Sequence, residues 1–406
     1  MKILVVCQHY WPEPYPLPDI CEELVRRGHT VDVITDVPNY PMGRIYPEYK
    51  RGQRRKETHN GVQITRVFTI PRRHNALFRL LNYYSYAISS TLYIKRLTQD
   101  YDVVFANQTS PVMMSTAAFA YAKKHEKRVV LYCMDLWPAS LAAGGIKEHS
   151  LIYKFFDLQS KRLYQKADKI LITSQMFQQY LMEKHGIPKK RISYLPQYAP
   201  TQFVKGRITT GKKETVDLMF AGNIGTAQNI QTILGAAELL KTVPNLRWHI
   251  IGDGSELAHM QALAKEKNLN NVLFYGRKPA EQMPQYYAIA DAMLVTLMAD
   301  DFISLTLPGK VQTYMAAGKP ILAAANGEIS RVISAAQCGY CAAAEDAMGL
   351  AAIVMQFLQH SDRQLLGENA KMYYEKYFEC AGFMKALEHQ LKEQIGVEPA
   401  QNMVSV

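Results

Sequence analysis

Residues 216–225 read VDLMFAGNIG, and this stretch decides how the second half of the chain is organised. A run of strand length ends at Gly222, where the chain turns toward a helical segment. That segment is apolar every three or four residues, at Ile230, Ile233, Leu234 and Ala237. Further strands are predicted at 247–251, 272–275, 291–296 and 320–324. Strands that alternate with helices predict a parallel sheet with crossover connections.

The first half of the chain repeats this alternation. Residues 2–7 form an unbroken apolar run, Pro18 to Arg27 has a helical pattern that ends at Gly28, and Val31 to Thr35 is a second strand. Later strands are predicted at 101–106, 128–133 and 169–174. The chain is therefore predicted to hold two Rossmann-like α/β domains in tandem.

The polar stretch near 198–214 is predicted to link the two halves. The predicted N-terminal domain covers 1–200 and the C-terminal domain covers 214–380. A helix at 381–396 is expected to pack back on the N-terminal domain, and 397–406 is expected to be a flexible tail.

Composition limits the class of protein. The 406 residues are 48% hydrophobic and 20% charged, which suits two globular domains. The apolar runs are far shorter than the roughly 18–20 residues that cross a bilayer, and the N-terminus lacks a secretory pattern. Six cysteines without regular spacing favour a reducing compartment. These features predict a cytoplasmic protein.

Charge is unevenly distributed between the halves. Residues 1–210 contain 31 Lys and Arg against 16 Asp and Glu, whereas the remainder is slightly acidic. Such a basic half should attract an anionic partner: a membrane surface, a nucleic acid or a phosphorylated substrate. The alternative is a basic face that only keeps the protein soluble.

Two absences narrow the chemistry. The first strand-to-helix loop, Gln8 to Leu17, contains no glycine, and a dinucleotide cofactor needs glycine there for close approach of the backbone. Cys338 and Cys341 form a single CxxC pair without a second pair, so they are interpreted as part of a strand. No cofactor and no metal site are predicted.

Three strand ends in the second half carry glycine: Gly222-Asn223-Ile224-Gly225, Gly252-Asp253-Gly254 and Gly276-Arg277. Glycine lets the backbone approach a phosphate, and a helix N-terminus favours an anion. Each turn alone is equally compatible with simple packing. Together they predict a nucleotide-sized anionic ligand.

Two charged residues stand out. Lys310 lies in the first turn of a helix predicted over Pro308 to Ala317, where a cation opposes the helix dipole unless an anion is bound. The alternative is a lysine whose ammonium simply reaches solvent. Asp135 follows the strand Val129 to Cys133 and is placed either to bind ligand hydroxyls or to cap the next helix.

The motifs, taken in order, resemble one family. They are DLWP at 135–138, GNIG at 222–225, IGDG at 251–254, FYGR at 274–277, and PGK at 308–310 with MAAGKP at 315–320. This series resembles the retaining GT-B glycosyltransferases of family 4. NYPMGRIYP at 39–47 and RLLNY at 79–83 resemble the bacterial branch that builds capsule, O-antigen and colanic acid, which includes fucosyl- and N-acetylfucosamine-type transferases. The resemblance runs from Lys2 to about Leu391.

The resemblance implies a fold and an activity. The fold would be α/β of the GT-B type, with two Rossmann-like doubly wound domains whose parallel sheets face each other across a cleft. A UDP- or GDP-linked sugar donor would bind the C-terminal domain, and a polyprenyl-diphosphate-linked saccharide acceptor the N-terminal one. The reaction would need no metal and would retain the anomeric configuration. The enzyme would work as a peripheral protein on the inner face of the membrane, without nucleic acid.

The resemblance also implies roles for individual residues. Asp135 and Lys310 are the expected catalytic residues. The expected donor-binding residues are Gly222, Asn223, Gly225, Gly252, Gly254, Arg277, Leu307, Pro308, Thr313 and Glu328. The expected acceptor-side residues are Glu13, Asn39 and Tyr40.

The chain departs from the family pattern at several positions. Leu305 and Thr313 stand where most members carry two glutamates that grip the nucleotide. Asn223 and Gln228 replace the basic pair after the first glycine of the second domain, and Met134 replaces the histidine before the aspartate. Lys310, backbone amides and Arg277 are then left to neutralise the diphosphate.

Two other functions remain open from the sequence: a GT-B sugar-nucleotide epimerase, which would need no acceptor, and a basic nucleic-acid-binding protein. A second question concerns Arg72, Arg73 and the aromatic residues Phe78, Tyr83, Tyr84 and Tyr86, which belong either at a lipid interface or in an ordinary buried helix. The donor sugar, the base, the acceptor and the oligomeric state are not determined by the sequence.

Overall fold

The computed structural model describes residues 1–73, 76–143, 145–204 and 213–396. These residues fall into two compact units. Unit 1 contains Met1–Thr173, Phe177–Leu195 and, at the end of the described chain, 384–396, and unit 2 contains Ser174–Met176 and Pro196–Phe383. Residues 205–212 of the predicted linker and the predicted tail at 397–406 lie outside the described residues.

Unit 1 is built on an eight-stranded sheet. Its strands are Lys2–Val6 (β1), Thr30–Thr35 (β2), Lys56–His59 (β3), Val62–Arg66 (β4), Val103–Gln108 (β5), Val129–Cys133 (β6), Lys169–Ile172 (β7) and Ile192–Tyr194 (β8). The order in the sheet is β3-β4-β2-β1-β5-β6-β7-β8. All neighbours pair parallel except β3 and β4, which form an antiparallel hairpin at the edge. Every residue of β5 and β6 is buried, as expected for strands covered on both faces.

The helices of unit 1 connect these strands. They are Leu17–Arg26 (α1), Ala76–Arg96 (α2), Thr116–His125 (α3), Ala139–Ala143 (α4), Leu151–Lys166 (α5) and Met176–His185 (α6), the last of which begins in unit 2. None of the described helices is long and apolar enough to cross a membrane.

Unit 2 is built on a six-stranded parallel sheet. Its strands are Val216–Ala221 (β9), Leu246–Ile251 (β10), Val272–Gly276 (β11), Ala292–Thr296 (β12), Ile321–Ala324 (β13) and Gly339–Ala342 (β14). The order is β11-β10-β9-β12-β13-β14, so the chain reverses its direction of travel between β9 and β12. Ligands of open α/β sheets bind at such a reversal, beyond the carboxyl ends of the strands.

The helices that follow in the chain are Thr201–Val204 (α7), Ile230–Leu239 (α8), Leu257–Glu266 (α9), Met283–Ile289 (α10), Gly309–Ala316 (α11), Glu328–Ala336 (α12), Ala347–Gln359 (α13), Arg363–Tyr377 (α14) and Cys380–Gln394 (α15). Helix α15 begins in unit 2 and ends in unit 1. In its unit 1 part, Glu388 accepts hydrogen bonds from His29 at 2.7 Å and from Arg27 at 3.2 Å. The core of unit 2 surrounds the fully buried Trp248.

The hairpin of β3 and β4 is absent from the sequence prediction, because the alternating polar residues of this edge pair do not form an apolar run. One residue of the proposed lipid-facing stretch is also corrected. Tyr86 is fully buried, and its hydroxyl donates to the carbonyl oxygen of Cys7 at 2.7 Å, so it belongs to the core and not to a lipid interface.

The glycine turns after β9 and β10 pack directly on each other. A Cβ atom on Gly252, whose φ is +146°, would lie 1.7 Å from the carbonyl oxygen of Gly222. No side chain can be accommodated at that distance, so the close approach of the two turns requires glycine here.

We expect Gly252→Ala to lower the free energy of unfolding by about 3 kcal/mol or more, because the methyl group must displace backbone. Gly276→Ala is the matched control: its φ is +65° but nothing lies within 4 Å of the added methyl group. That control should cost only about 1–2 kcal/mol. Urea unfolding followed by circular dichroism measures both, and equal losses would contradict the steric argument.

Candidate active site

Tyr314 fixes the position of α11 on the sheet of unit 2. Its buried hydroxyl donates to the carbonyl oxygen of Ala221 at 2.8 Å and accepts from the amide of the same residue at 3.1 Å. Ala221 is the last residue of β9, beside the reversal of the sheet. These two bonds therefore hold the helix beside the strand end where a ligand is expected.

Lys310, in the first turn of α11, points its ammonium toward that strand end. The Nζ atom lies 4.1 Å from the centroid of the Phe220 ring, is buried, and has no hydrogen-bond partner among the described residues. Burial lowers the pKa of Lys310 to about 7. A Cβ atom on Gly222 would lie 3.0 Å from the same Nζ atom. The structure thus brings together two site residues that the sequence identified separately.

Backbone hydrogen bonds join the three glycine-bearing turns to one another at the carboxyl edge of the sheet. The backbone amide of Ile224 donates to the carbonyl oxygen of Asp253 at 2.9 Å, and the backbone amide of Glu256 donates to the carbonyl oxygen of Ile224 at 3.0 Å. The amide of Gly252 donates to the carbonyl oxygen of Gly276 at 3.0 Å. A Cβ atom on Gly254 would lie 2.2 Å from the carbonyl oxygen of Ile224, so this position also leaves no room for a side chain.

The polar residues of these three turns carry little positive charge. Asn223 donates its side-chain amide to Gln228 at 3.1 Å, so these two neutral groups are paired with each other. Gly225 is buried behind them, and a Cβ atom there would meet the Asn223 side chain. Arg277 is exposed one residue after Gly276, at the same edge of the sheet.

Glu328, the first residue of α12, is fully buried and already paired. Arg331 contacts both of its carboxylate oxygens, at 2.7 and 2.9 Å, and the amide of Gln175 donates to it at 3.1 Å. A ligand hydroxyl would have to share these oxygens. Ser174, beside Gln175, donates to the carbonyl oxygen of Leu305, so the short segment Ser174–Met176 supports this part of unit 2.

Three further predicted donor residues belong to α11 or to the loop before it. Pro308 is the N-cap residue of α11 and Leu307 is buried. The Thr313 hydroxyl donates to the carbonyl oxygen of Gly309 at 2.9 Å, one turn back in the same helix. A threonine bonded in this way offers a ligand only its remaining acceptor capacity.

In unit 1, Asp135 follows β6 and is held by hydroxyl groups. Ser110 donates to its carboxylate, and Ser110 lies 3.1 Å from the hydroxyl of Ser140. Burial raises the pKa of Asp135, and the hydrogen bonds from the two serines act in the opposite direction. The backbone of Asp135 is fixed by Gln108, whose amide donates to its carbonyl oxygen at 2.9 Å.

Glu13 joins two loops at the carboxyl edge of the same sheet. One carboxylate oxygen accepts from the amides of Asn39 at 2.6 Å and Tyr40 at 2.7 Å, and the other lies 2.8 Å from Nδ1 of His9. Asn39 donates in turn to Asp36 at 3.1 Å. These bonds give Glu13 and Asn39 a positioning role, which leaves the half-buried Tyr40 as the most accessible of the three predicted acceptor-side residues.

His9, Glu13 and Asp36 together are the one group of potential metal ligands found in the described parts of the chain, with ligand atoms within 4.8 Å of one another. Burial raises the pKa of Asp36 well above its usual range, and the charge of Glu13 adds to this effect. The carboxylates are already engaged by amides and by the imidazole, so the cluster is satisfied largely by the protein's own groups.

Several residues that shape the site were not identified from the sequence. Ser110 and Ser140 flank Asp135, Gln175 donates to Glu328, Phe220 lies below Lys310, and Tyr314 anchors α11. None of them forms a motif. Of these residues, only Tyr314 could have been identified from the sequence, because a phenol on an apolar helix face needs a hydrogen-bond partner when it is buried.

Two family models match the chain. The model described as "Glycosyltransferase Family 4" matches residues 18–202, and the model described as "Glycosyl transferases group 1" matches residues 205–373. The order agrees with the two units.

Curated relatives agree with the family models. The chain is 24% identical to the putative colanic acid biosynthesis glycosyl transferase WcaI of Escherichia coli, over 78% of this chain and 82% of WcaI. It is 26% identical to the probable glycosyltransferase WbjE of Pseudomonas aeruginosa, over 63% of this chain and 66% of WbjE. The chain thus spans about two thirds of WbjE and a larger share of WcaI.

Solved structures share the fold. Sucrose-phosphate synthase from Thermosynechococcus elongatus matches with a TM-score of 0.74 at 15% identity, over 98% of this chain and all of that chain. HepE from Anabaena, solved in complex with UDP and glucose, matches with a TM-score of 0.67 at 16% identity, over 97% and 99% of the two chains. These likenesses confirm the expected GT-B class, α/β with two parallel-sheet domains.

Of the activities that the sequence left open, the family models support the glycosyltransferase, because a glycosyltransferase model matches each half of the chain. The chain belongs to the glycosyltransferases, with a family 4 domain followed by a group 1 domain.

Proposed function

We propose that this glycosyltransferase is a retaining, metal-independent enzyme of surface polysaccharide assembly. It transfers a sugar from a UDP- or GDP-linked donor to a polyprenyl-diphosphate-linked saccharide. It works as a peripheral protein at the cytoplasmic face of the membrane that holds this acceptor.

The observation that carries the donor half of the proposal is the buried ammonium of Lys310 beside Gly222, which has no hydrogen-bond partner in the described parts of the chain. A buried lysine without a counter-charge is costly, and the group lies at the helix N-terminus and sheet reversal where phosphates bind. A donor diphosphate would supply the missing negative charge. The glycine at position 222 would let the phosphate oxygens approach the backbone closely.

The chemistry follows from where charge develops. As the bond between the anomeric carbon and the diphosphate oxygen breaks, negative charge moves onto the leaving phosphate. Lys310 and the N-terminus of α11 would stabilise that charge more strongly than they stabilise the bound donor. The acceptor oxygen forms the new bond to the anomeric carbon on the face that the phosphate leaves, and its proton passes to a phosphate oxygen. No separate base is then required.

Asp135 is the proposed polar group for the acceptor half. Held by Ser110 and Ser140, its carboxylate would orient the acceptor hydroxyl or stabilise positive charge on the sugar. Both roles require the ionised form. Since burial raises the pKa of this carboxyl group, activity should decline as the pH falls through that raised value.

The relatives support the polysaccharide setting and the type of donor. WcaI is named for colanic acid biosynthesis, and another relative, at 24% identity, is a lipopolysaccharide 1,2-N-acetylglucosaminetransferase of Salmonella typhimurium. HepE binds UDP and glucose. The excess of basic residues in the first half suits both a diphosphate-linked acceptor and an anionic membrane surface.

The first test is transfer itself. Thermal shifts with a panel of UDP-, GDP- and dTDP-sugars select the donor, and transfer to a short-chain polyprenyl-diphosphate sugar is then followed by NMR of the anomeric proton. We expect retention and no loss of rate with EDTA. An inverted product would contradict the mechanism, and a rate that disappears with EDTA would contradict metal independence.

In the same assay, Lys310→Ala should lower kcat by about 10²–10³-fold, as for other single groups that stabilise a developing anion. The matched control is Lys265→Ala, which removes an exposed lysine from α9 of the same unit and should leave kcat unchanged. An unchanged rate in Lys310→Ala would remove this residue from the mechanism.

Donor binding should take up a proton above neutral pH. With a pKa of about 7 in the free protein, Lys310 is mostly neutral at pH 8, and a bound diphosphate favours the charged form. Calorimetry at pH 8 in two buffers of different ionisation enthalpy should show up to one proton taken up per donor. Lys310→Met should abolish this uptake, and persistence of the uptake would assign it to another group.

Lys310 should also make stability depend on pH. Because the pKa of Lys310 is lower in the folded than in the unfolded state, its charged form lowers the free energy of unfolding. This loss of stability is complete below about pH 7 and becomes smaller as the pH rises toward 10.5. Lys310→Met should therefore be more stable than the wild type at pH 7, and the difference should shrink by pH 9.5. Urea unfolding at both pH values measures this; a constant difference would contradict the buried-charge argument.

A further inference from the structure

Helix α5 of unit 1 carries an apolar face that no other part of the described chain covers. Leu151, Ile152, Phe155 and Leu158 are all exposed, Leu151 by 85%, and their spacing places them on one side of the helix. The opposite side is buried through Tyr153, Phe156 and Leu163. Scattered exposed apolar residues are ordinary, but four on one face mark a surface with a partner.

Helix α2 adds a second apolar stripe beside the first. Leu77, Leu81, Ile88 and Leu92 are exposed along it. A groove of about 420 Å³ lies between the two helices, and its lining includes Ile88, Leu92 and Lys95 from α2, Met113 from the turn before α3, Thr116 from the start of α3, and Phe155 from α5. The two stripes therefore belong to one surface, which we call the α2–α5 surface.

The charge of this surface is strongly positive. Helix α2 contains no acidic residue and α5 contains only Asp157, whereas the two helices contribute six exposed basic residues to this surface: Lys95, Arg96, Lys154, Lys161, Arg162 and Lys166. Within the part of the chain that the structure describes, none of the six is in an ion pair. Apolar stripes flanked by unpaired lysine and arginine are what helices that lie on anionic membranes present.

The choice of partner follows from this combination. A second copy of the chain would bring an equally positive surface against the first, and a soluble anion would leave the leucines and Phe155 in water. A bilayer of anionic lipid satisfies both features, because acyl chains take the apolar side chains while headgroups pair with the cations.

We infer that the α2–α5 surface docks on an anionic lipid bilayer, with the apolar residues of both helices inserted below the headgroups. This inference rests on the proposed function in expecting a membrane-held acceptor, and it names the part of the molecule that meets the lipid. The α5 face lies outside the stretch that the sequence suggested for lipid contact.

The test is co-sedimentation of the full chain with vesicles of phosphatidylglycerol and phosphatidylcholine in equal parts, and with vesicles of phosphatidylcholine alone. We expect binding to the anionic vesicles that weakens with salt, and at least tenfold weaker binding to the neutral ones. Lys154→Gln should weaken binding to the anionic vesicles by about fivefold, as expected for one cation at such a surface.

The double variant Leu151→Gln/Phe155→Gln should weaken binding to the anionic vesicles by tenfold or more. The matched control is Leu239→Gln/Met348→Gln, which removes two exposed apolar residues from helices of unit 2 and should bind as the wild type does. Equal loss in both double variants, or no binding by the wild type, would overturn the inference. A wild-type dimer that the α5 variant converts to a monomer would overturn it in favour of a second copy.

Vesicle binding requires no turnover, so its outcome is separate from that of the transfer assay. If the protein transfers sugar to a short-chain acceptor but ignores vesicles, the docking surface is wrong and the proposed chemistry stands. If it binds vesicles through α5 but transfers no sugar, the docking surface stands and the proposed chemistry is wrong.

Discussion

The candidate donor site depends on a pair of hydrogen bonds between uncharged groups, those between the Tyr314 hydroxyl and both backbone groups of Ala221. They join the middle of α11 to the last residue of β9. Because the helix is short and rigid, this attachment also determines where its first turn lies. Lys310 is thereby held above Phe220 and beside Gly222, although its ammonium has no hydrogen-bond partner among the residues that the structure describes. The position of the ammonium is thus set by packing and by a tyrosine four residues further along the helix.

Much of this arrangement could be predicted from the sequence because it depends on the order of strands and turns. Apolar runs that end in glycine located β9, β10 and β11, and the carboxyl ends of parallel strands necessarily meet at one edge of a sheet. Lys310 was recognisable because a lysine in a first helical turn is electrostatically unusual. The contact between Lys310 and Gly222 required the structure, since nothing in either segment encodes the distance between them.

Other features could not be predicted, because they depend on partners distant in the chain. The family resemblance implies ligand-binding roles for Glu13 and Glu328. In the structure the first is occupied by two loop amides and His9, and the second by Arg331 and Gln175. A carboxylate in a ligand site and a carboxylate that fastens loops look the same in sequence. Likewise, the apolar positions of α5 fit a buried helix until the exposed face is seen.

The described part of the candidate donor site contains few charged side chains. Asn223 and Gln228 are paired amides, Thr313 is bonded within its helix, and the exposed Arg277 is the other cation identified at this edge. An unphosphorylated hexose at such a site would offer the ammonium only neutral hydroxyl oxygens, so the buried charge would remain without a counter-charge. The protein would thus disfavour free sugars because they bring no negative charge, and not through any dedicated contact. Selection of activated sugars would then follow from the lack of a counter-charge at one buried ammonium.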